Sequence, residues 1–187
     1  MRNSNIRRYA PLTADMKYIK EDATVGFREI PGEISLLINI TGCTVHCPGC
    51  HSKYLWEDRG DELTGEALAD LINRNPGITC VSFQGGFNTD ALNDLARVCR
   101  ASNLKTAWWT GMSRSTVFHE TDDPGRMNGF KSSLNPVLWD YIKVGPYDER
   151  HGGLDSRDTN QRMYVITDVL PGDSFTVDDI THKYWNI

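Results

Sequence analysis

The chain has 187 residues, enough for one sizeable core and too few for two comfortable ones. Its 39% hydrophobic and 24% charged residues are those of an ordered globular chain and exclude wholesale disorder. The formal net charge is −5 and basic residues are scattered apart from Arg7-Arg8, which excludes an electrostatic footprint for nucleic acid; no apolar run approaches the ~20 residues of a membrane helix.

Taken in chain order, residues 33–40 form an apolar run without clean alternation, as expected of a strand covered on both faces. Directly after it stands Cys43-Thr-Val-His-Cys47-Pro-Gly-Cys50-His51, a C-x3-C-x2-C triplet. A polar stretch leads to Thr64, where Ala67, Leu68, Leu71 and Ile72 repeat at helical spacing until Asn75-Pro76-Gly77 stops the helix. Residues 78–83 read as the next strand, Gly85-Gly86 as its turn, and 88–102 as a helix with Ala91, Leu92, Leu95, Ala96 and Cys99 on the inner face. Residues 105–110 form a third strand, and 112–130 read as a long surface loop or lid. Strands at 139–144 and 162–167 follow, and a polar tail over 171–187 carries Phe175, Tyr184 and Trp185. Strands alternating with helices predict right-handed βαβ units and an α/β fold built on an open parallel sheet.

Three thiolates on one tight loop suit three irons of a [4Fe-4S] cube, each of which needs one external ligand, and they leave the fourth iron open to a small molecule. A closed zinc site would need His46 or His51 as its last ligand, and this spacing is uncommon for zinc. A disulfide framework would leave one of the three cysteines over. A ferredoxin-type carrier would want a fourth cysteine nearby, whereas Cys80 and Cys99 sit in a strand and on a helix face and read as core thiols. With no targeting segment read at the start, a reducing cytoplasm is the expected compartment, and it suits iron-bound thiolates.

In an open parallel sheet, ligands gather at the carboxyl ends of the strands. The Cys loop, Gly85-Gly86 and Thr110-Gly111 each follow a strand and are expected on one rim. Gly85-Gly86 taken alone reads as a tight turn that needs positive φ. Trp108 and Trp109 must point to opposite faces of their strand. His46 can tune a cluster through a hydrogen bond to sulfur or simply face solvent; His119, His151 and His182 read as surface histidines.

Together these residues resemble the radical S-adenosylmethionine enzymes, and among them the activating proteins of anaerobic (class III) ribonucleotide reductase. The resemblance rests on Cys43-x3-Cys47-Pro-Gly-Cys50 with Gly49 before the last cysteine, Pro31-Gly32, Gly85-Gly86, Trp109-Thr110-Gly111 and the polar run Asp158-Thr-Asn-Gln-Arg162. It implies one radical S-adenosylmethionine domain over 1–187, an α/β fold whose core at about 26–167 is an open, partial (β/α) barrel of mainly parallel strands with outer helices, with an N-terminal extension over 1–25 and a tail over 168–187. It implies that Cys43, Cys47 and Cys50 ligate a [4Fe-4S] cluster, whose free iron chelates S-adenosylmethionine. Gly49 and His51 would line the adenosyl pocket, Gly85 and Gly86 would meet the methionyl end, and Thr110 and Gly111 would complete the cofactor-binding rim. Reductive cleavage would yield a radical that activates a glycine of the large glycyl-radical subunit of that reductase, with a flavodoxin- or ferredoxin-type protein as low-potential electron donor. No side-chain acid or base is demanded. Phe87 stands where the resembled family commonly has an acidic residue after the paired glycines, with Asn88 and Asp90 as candidate substitutes, and Met112 stands where an aromatic often follows. The remaining readings are a radical S-adenosylmethionine enzyme acting on a small molecule and a non-catalytic iron-sulfur or zinc module.

Overall fold

A computed structural model describes residues 16–185, so residues 1–15 of the N-terminal extension, with Arg7 and Arg8, and the last two residues lie outside the described part. The described chain enters through β1 (Lys17–Tyr18) and β2 (Thr24–Gly26) and reaches β3 (Ser35–Asn39), the heart of the first apolar run. Beyond the Cys loop, β4 (Asp61–Glu62) pairs back onto β1 and leads into α1 (Gly65–Arg74). The Thr64 side chain caps this helix by accepting from the Ala67 N–H at 3.1 Å, as its sequence position predicts. Next come β5 (Cys80–Gln84), α2 (Thr89–Ala101) and β6 (Lys105–Trp109). Asn88 caps α2 through the Ala91 N–H at 3.1 Å, so its carboxamide is engaged in the fold.

From β6 onward the architecture departs from the expected partial barrel. The chain continues through α3 (Arg114–Val117), β7 (Phe118–Glu120), β8 (Arg126–Phe130), β9 (Tyr141–Val144), β10 (Arg162–Val169) and β11 (Phe175–Asp179). The strands build a nine-stranded mixed sheet in the order β2-β3-β5-β6-β9-β10-β11-β8-β7, beside the small β1-β4 pair. Only β3, β5, β6 and β9 run parallel; every other pairing in that sheet is antiparallel. Three α-helices occur among the described residues, and α3 spans only 4. A helix-ringed barrel of mainly parallel strands is therefore not the fold. The physical reason lies between β9 and β10, where Gly145-Pro146 and Gly152-Gly153 interrupt any helical period, so the chain returns through a loop and β10 descends antiparallel.

The 112–130 segment is likewise no lid. It forms α3 and the β7-β8 hairpin, which extends the sheet through β11 and buries Phe118 completely. The tail also packs back: β11 buries Phe175, and the Tyr184 hydroxyl donates to the Glu29 carbonyl at 2.6 Å.

Two cores sandwich the sheet. Helices α1 and α2 cover one face, where Leu68, Leu92, Leu95 and Ala96 meet Ile38, Phe83, Trp108 and Ile142. The other face holds Cys80, Ala107, Tyr141 and Met163 under Ile30, Leu154, Ile180 and Tyr184, with Trp109 against its edge. Trp108 and Trp109 thus part to opposite faces. Cys80 and Cys99 are fully buried, and burial pushes both thiols well above the ordinary cysteine range, as suits core residues.

At the sheet end opposite the Cys loop, Glu33 ties the strand starts together. Its carboxylate accepts from Lys105 at 2.5 Å, from Thr79 at 2.6 Å and from Tyr141 at 3.0 Å. Burial alone would raise this carboxyl, but the three hydrogen bonds bring it below the ordinary glutamate range. The resulting stability is complete above the unfolded glutamate range and is lost as the pH falls through the lower folded value. We expect Glu33→Gln to cost about 1–2 kcal/mol near neutrality, discounted because Lys105 is half exposed. Urea unfolding of both proteins across the acid range checks this; the gap must close as Glu33 protonates.

Candidate functional site

The loop after β3 is held at both ends by backbone bonds. Thr41 N–H donates to the Lys17 carbonyl at 2.9 Å and its hydroxyl to the Arg59 carbonyl at 2.7 Å. Cys43 N–H donates to the Leu55 carbonyl at 2.9 Å, and Cys50 N–H to the Cys47 carbonyl at 3.1 Å. Gly42, His46 and Gly49 take positive φ, which lets so short a segment turn back on itself. The His46 ring stacks on Trp56 at 4.6 Å, so His46 packs on the loop's own far limb.

Cys43, Cys47 and Cys50 are all free thiols, and Cys47 is the most enclosed of the three. Cys50 Sγ accepts from the Ser52 N–H at 3.3 Å, and Cys47 Sγ from the Tyr147 N–H at 3.3 Å. Backbone N–H groups aimed at sulfur stabilise negative charge there, one of the ways a protein tunes an iron–sulfur centre. Among the described residues no three His, Cys, Asp or Glu side chains converge as they would on a single ion. A cube asks for something else, because its corners are ligated one iron per thiolate. The donor set, the unpaired thiols and the N–H···S bonds fit such a cluster.

The rim expected from the sequence is assembled, in part by close backbone approach. A Cβ on Gly85, at φ +96°, would lie 3.1 Å from the Ile40 carbonyl oxygen, and one on Gly111 3.1 Å from the Val45 Cγ1 inside the Cys loop. Gly85 is also engaged: its N–H donates to the Trp109 carbonyl at 2.9 Å and its carbonyl accepts from Trp108 Nε1 at 2.8 Å. Thr110 is buried, with its N–H on the Lys143 carbonyl at 2.9 Å and its hydroxyl accepting from Met112 N–H at 3.2 Å.

Sequence reasoning missed that the connection between β9 and β10 straps the Cys loop, although it singled out the polar run at its end. Besides Tyr147 N–H on Cys47, the Tyr147 ring lies 4.9 Å from that of His51. A Cβ on Gly49 would stand 2.6 Å from Glu149 Oε2 and 3.0 Å from Glu149 Cβ, so the strap accounts for that glycine. Asn160 and Gln161, from the polar run singled out in the sequence, donate to the Pro146 carbonyl at 2.9 Å and the Gly145 carbonyl at 3.5 Å and so anchor the strap's first turn. His151 pairs with Asp148 at 3.0 Å on the exposed side, and Arg150 holds the Asp148 carboxyl below the usual range. The one local signal of the strap was Gly145-Pro146 directly after a strand.

Gly49→Ala makes a direct test. At φ +73° any Cβ costs about 1–2 kcal/mol, and this one also displaces Glu149. We expect a lower urea midpoint and new protease cuts within 145–161, with Glu149→Ala restoring part of the loss in the double variant.

In register across the sheet, Asn39, Gln84, Trp109 and Lys143 stand side by side at the strand ends nearest the Cys loop. Their neighbours Ile38, Phe83, Trp108 and Ile142 face the helices, so this row faces the other way. Trp109 Nε1 is buried there without a hydrogen-bond partner among the described residues. Lys143 is almost wholly buried; burial pulls its ammonium down to about 8, against which charge on Cys47 and Cys50 pulls it up.

A cysteine-rich loop strapped to the end of a mixed sheet, with N–H groups aimed at its sulfurs, defines an iron–sulfur protein. The chain belongs to the 4Fe-4S single cluster domain family, whose model matches residues 30–127, just over half of it, from the approach to β3 through the Cys loop into β8. No curated protein and no solved structure matches the chain. Among the described residues no helix is long and apolar enough to cross a membrane.

Proposed function

We propose that the protein is a radical S-adenosylmethionine activating enzyme that generates a glycyl radical on anaerobic ribonucleoside-triphosphate reductase. The observation that carries the reading is the set of three unpaired cysteines on one loop, Cys43, Cys47 and Cys50, beside the two glycine turns. Bound there through three thiolates, a [4Fe-4S] cluster would supply an open iron and one electron for reductive cleavage of S-adenosylmethionine. The chain's own part is placement. Cys47 and Cys50 would hold the centre with their sulfurs polarised by Tyr147 and Ser52 N–H groups. Gly49 and His51 would border the adenosyl group, Gly86 would approach the methionyl end, and Thr110-Gly111 would close the rim. Gly85 would act as a spacer, because its N–H and carbonyl are already bonded. The single domain, the large glycyl-radical subunit as partner, the flavodoxin- or ferredoxin-type donor and the reducing cytoplasm all belong to this proposal.

The experiment is anaerobic reconstitution with iron and sulfide, dithionite reduction, addition of S-adenosylmethionine and chromatography for 5′-deoxyadenosine. Its appearance supports the proposal; an intact four-iron cluster without cleavage, with candidate reductase subunits present, overturns it. The second reading, an electron-transfer module, then takes over. What favours it is Phe87 in place of an acidic residue and the capping role of Asn88, which leaves that side chain committed to α2.

A further inference from the structure

Lys143 sits mid-sheet in β9 with 6% of its surface exposed. Its ammonium donates to two carbonyl oxygens, Gly145 at 2.7 Å and Thr110 at 3.5 Å, and to no carboxylate among the described residues. These carbonyls engage two of the ammonium's three donors but bring no opposite charge. A buried ammonium without a counter-ion is among the costliest arrangements a fold contains, and such charges are ordinarily paired or near a metal centre.

Both carbonyls belong to segments that grip the Cys loop. Gly145 opens the strap whose Tyr147 N–H reaches Cys47 Sγ at 3.3 Å. Thr110 precedes Gly111, whose α-carbon packs against Val45 in the loop itself.

We infer that Lys143 is the built-in counter-cation of the metal centre held by the Cys loop, and that its charge sets how readily that centre accepts an electron. The inference rests on the proposed cluster ligation by Cys43, Cys47 and Cys50. A four-iron cluster on three thiolates is anionic, and uptake of one electron from a low-potential one-electron donor makes it more so by one charge. No bond forms or breaks and no proton need move. A fixed buried cation stabilises the reduced form more than the oxidised one, since the low dielectric of the site screens little. Lys143 therefore acts through the centre as a positioning and tuning residue, not as a catalytic one.

The test needs no S-adenosylmethionine. Wild type, Lys143→Arg, Lys143→Gln and Lys143→Met are reconstituted anaerobically, their iron and sulfide are counted, and the cluster is titrated redox-wise under electron paramagnetic resonance. Arginine keeps the charge, glutamine keeps donors to the two carbonyls without charge, and methionine keeps only the bulk. The expected order is wild type and Arg together, with Gln and Met shifted to more negative midpoint potentials. Cluster loss in Gln and Met but not in Arg supports the same conclusion. Equal midpoints in all four proteins overturn it, as does cluster loss in all three variants, which would make the fit of the lysine side chain decisive instead of its charge. Failure of the wild type to take up a cluster removes the anion and overturns the ligand assignment together with this inference; a charge-insensitive cluster overturns this inference alone.

Discussion

Cys47→Ala is expected to reduce iron and sulfide after reconstitution to near background and to abolish any 5′-deoxyadenosine formation. Cys47 is the most enclosed of the three thiols and the one bound by the strap, so its loss removes a proposed ligand and releases the Tyr147 N–H together. A buried donor left without its acceptor costs about 1–3 kcal/mol, and this one is only partly buried, so a smaller destabilisation of the apoprotein accompanies the loss of metal. The informative control is Cys80→Ala. Cys80 lies on the same sheet but is fully buried at the far end of β5, and its replacement is expected to leave iron content unchanged. Equal iron in wild type and Cys47→Ala would remove the triplet from the ligand set.

Phe118→Ala is expected to cost roughly 3–5 kcal/mol, the usual range for emptying a buried aromatic site. Phe118 is fully buried, with ring centroids 5.5 Å from Phe130, 5.9 Å from Phe175 and 6.0 Å from Tyr164. These rings join β7, β8, β10 and β11, so the damage reaches the half of the sheet built from hairpins. For a chain of this length the melting temperature falls by about 2–4 °C per kcal/mol, or roughly 10 °C in all. Calorimetry checks the figure. A mobile lid over 112–130 would instead tolerate the substitution with a shift within about 0.5 kcal/mol, as exposed positions do.

The front of the molecule was legible because its signals are local. Thr64 and Asn88 cap the helices they precede, and the helix-facing apolar positions of α1 and α2 recur at the expected period. The rim was legible too: a strand that ends in Gly-Gly or Thr-Gly brings its turn close to the neighbouring strand's loop, and Gly85 and Gly111 do approach Ile40 and Val45. The error began where local signals stopped. Residues 139–144 and 162–167 read as strands, and β9 and β10 do form there, but nothing in their composition says that the second runs antiparallel to the first. That direction follows from whether the connection is a crossover helix or a looped return, and it decides between a partial barrel and a mixed sheet. Likewise the polar, glycine-bearing stretch after Met112 hid a hairpin, because its Phe118 and Phe130 find their partner Phe175 only across the sheet.

By itself, then, the order of residues determined the cysteine triplet, the helix ends, the strands and the turns that follow them. Each of these depends on side chains within a few positions of one another. Only the tertiary structure decided the sheet order, the strap over the Cys loop and the burial of Lys143. The Tyr147 N–H that meets Cys47 comes from 100 residues away. A contact of that range has no period and no spacing to betray it, since it exists only once hydrophobic burial on both faces of the sheet has brought the strand ends together.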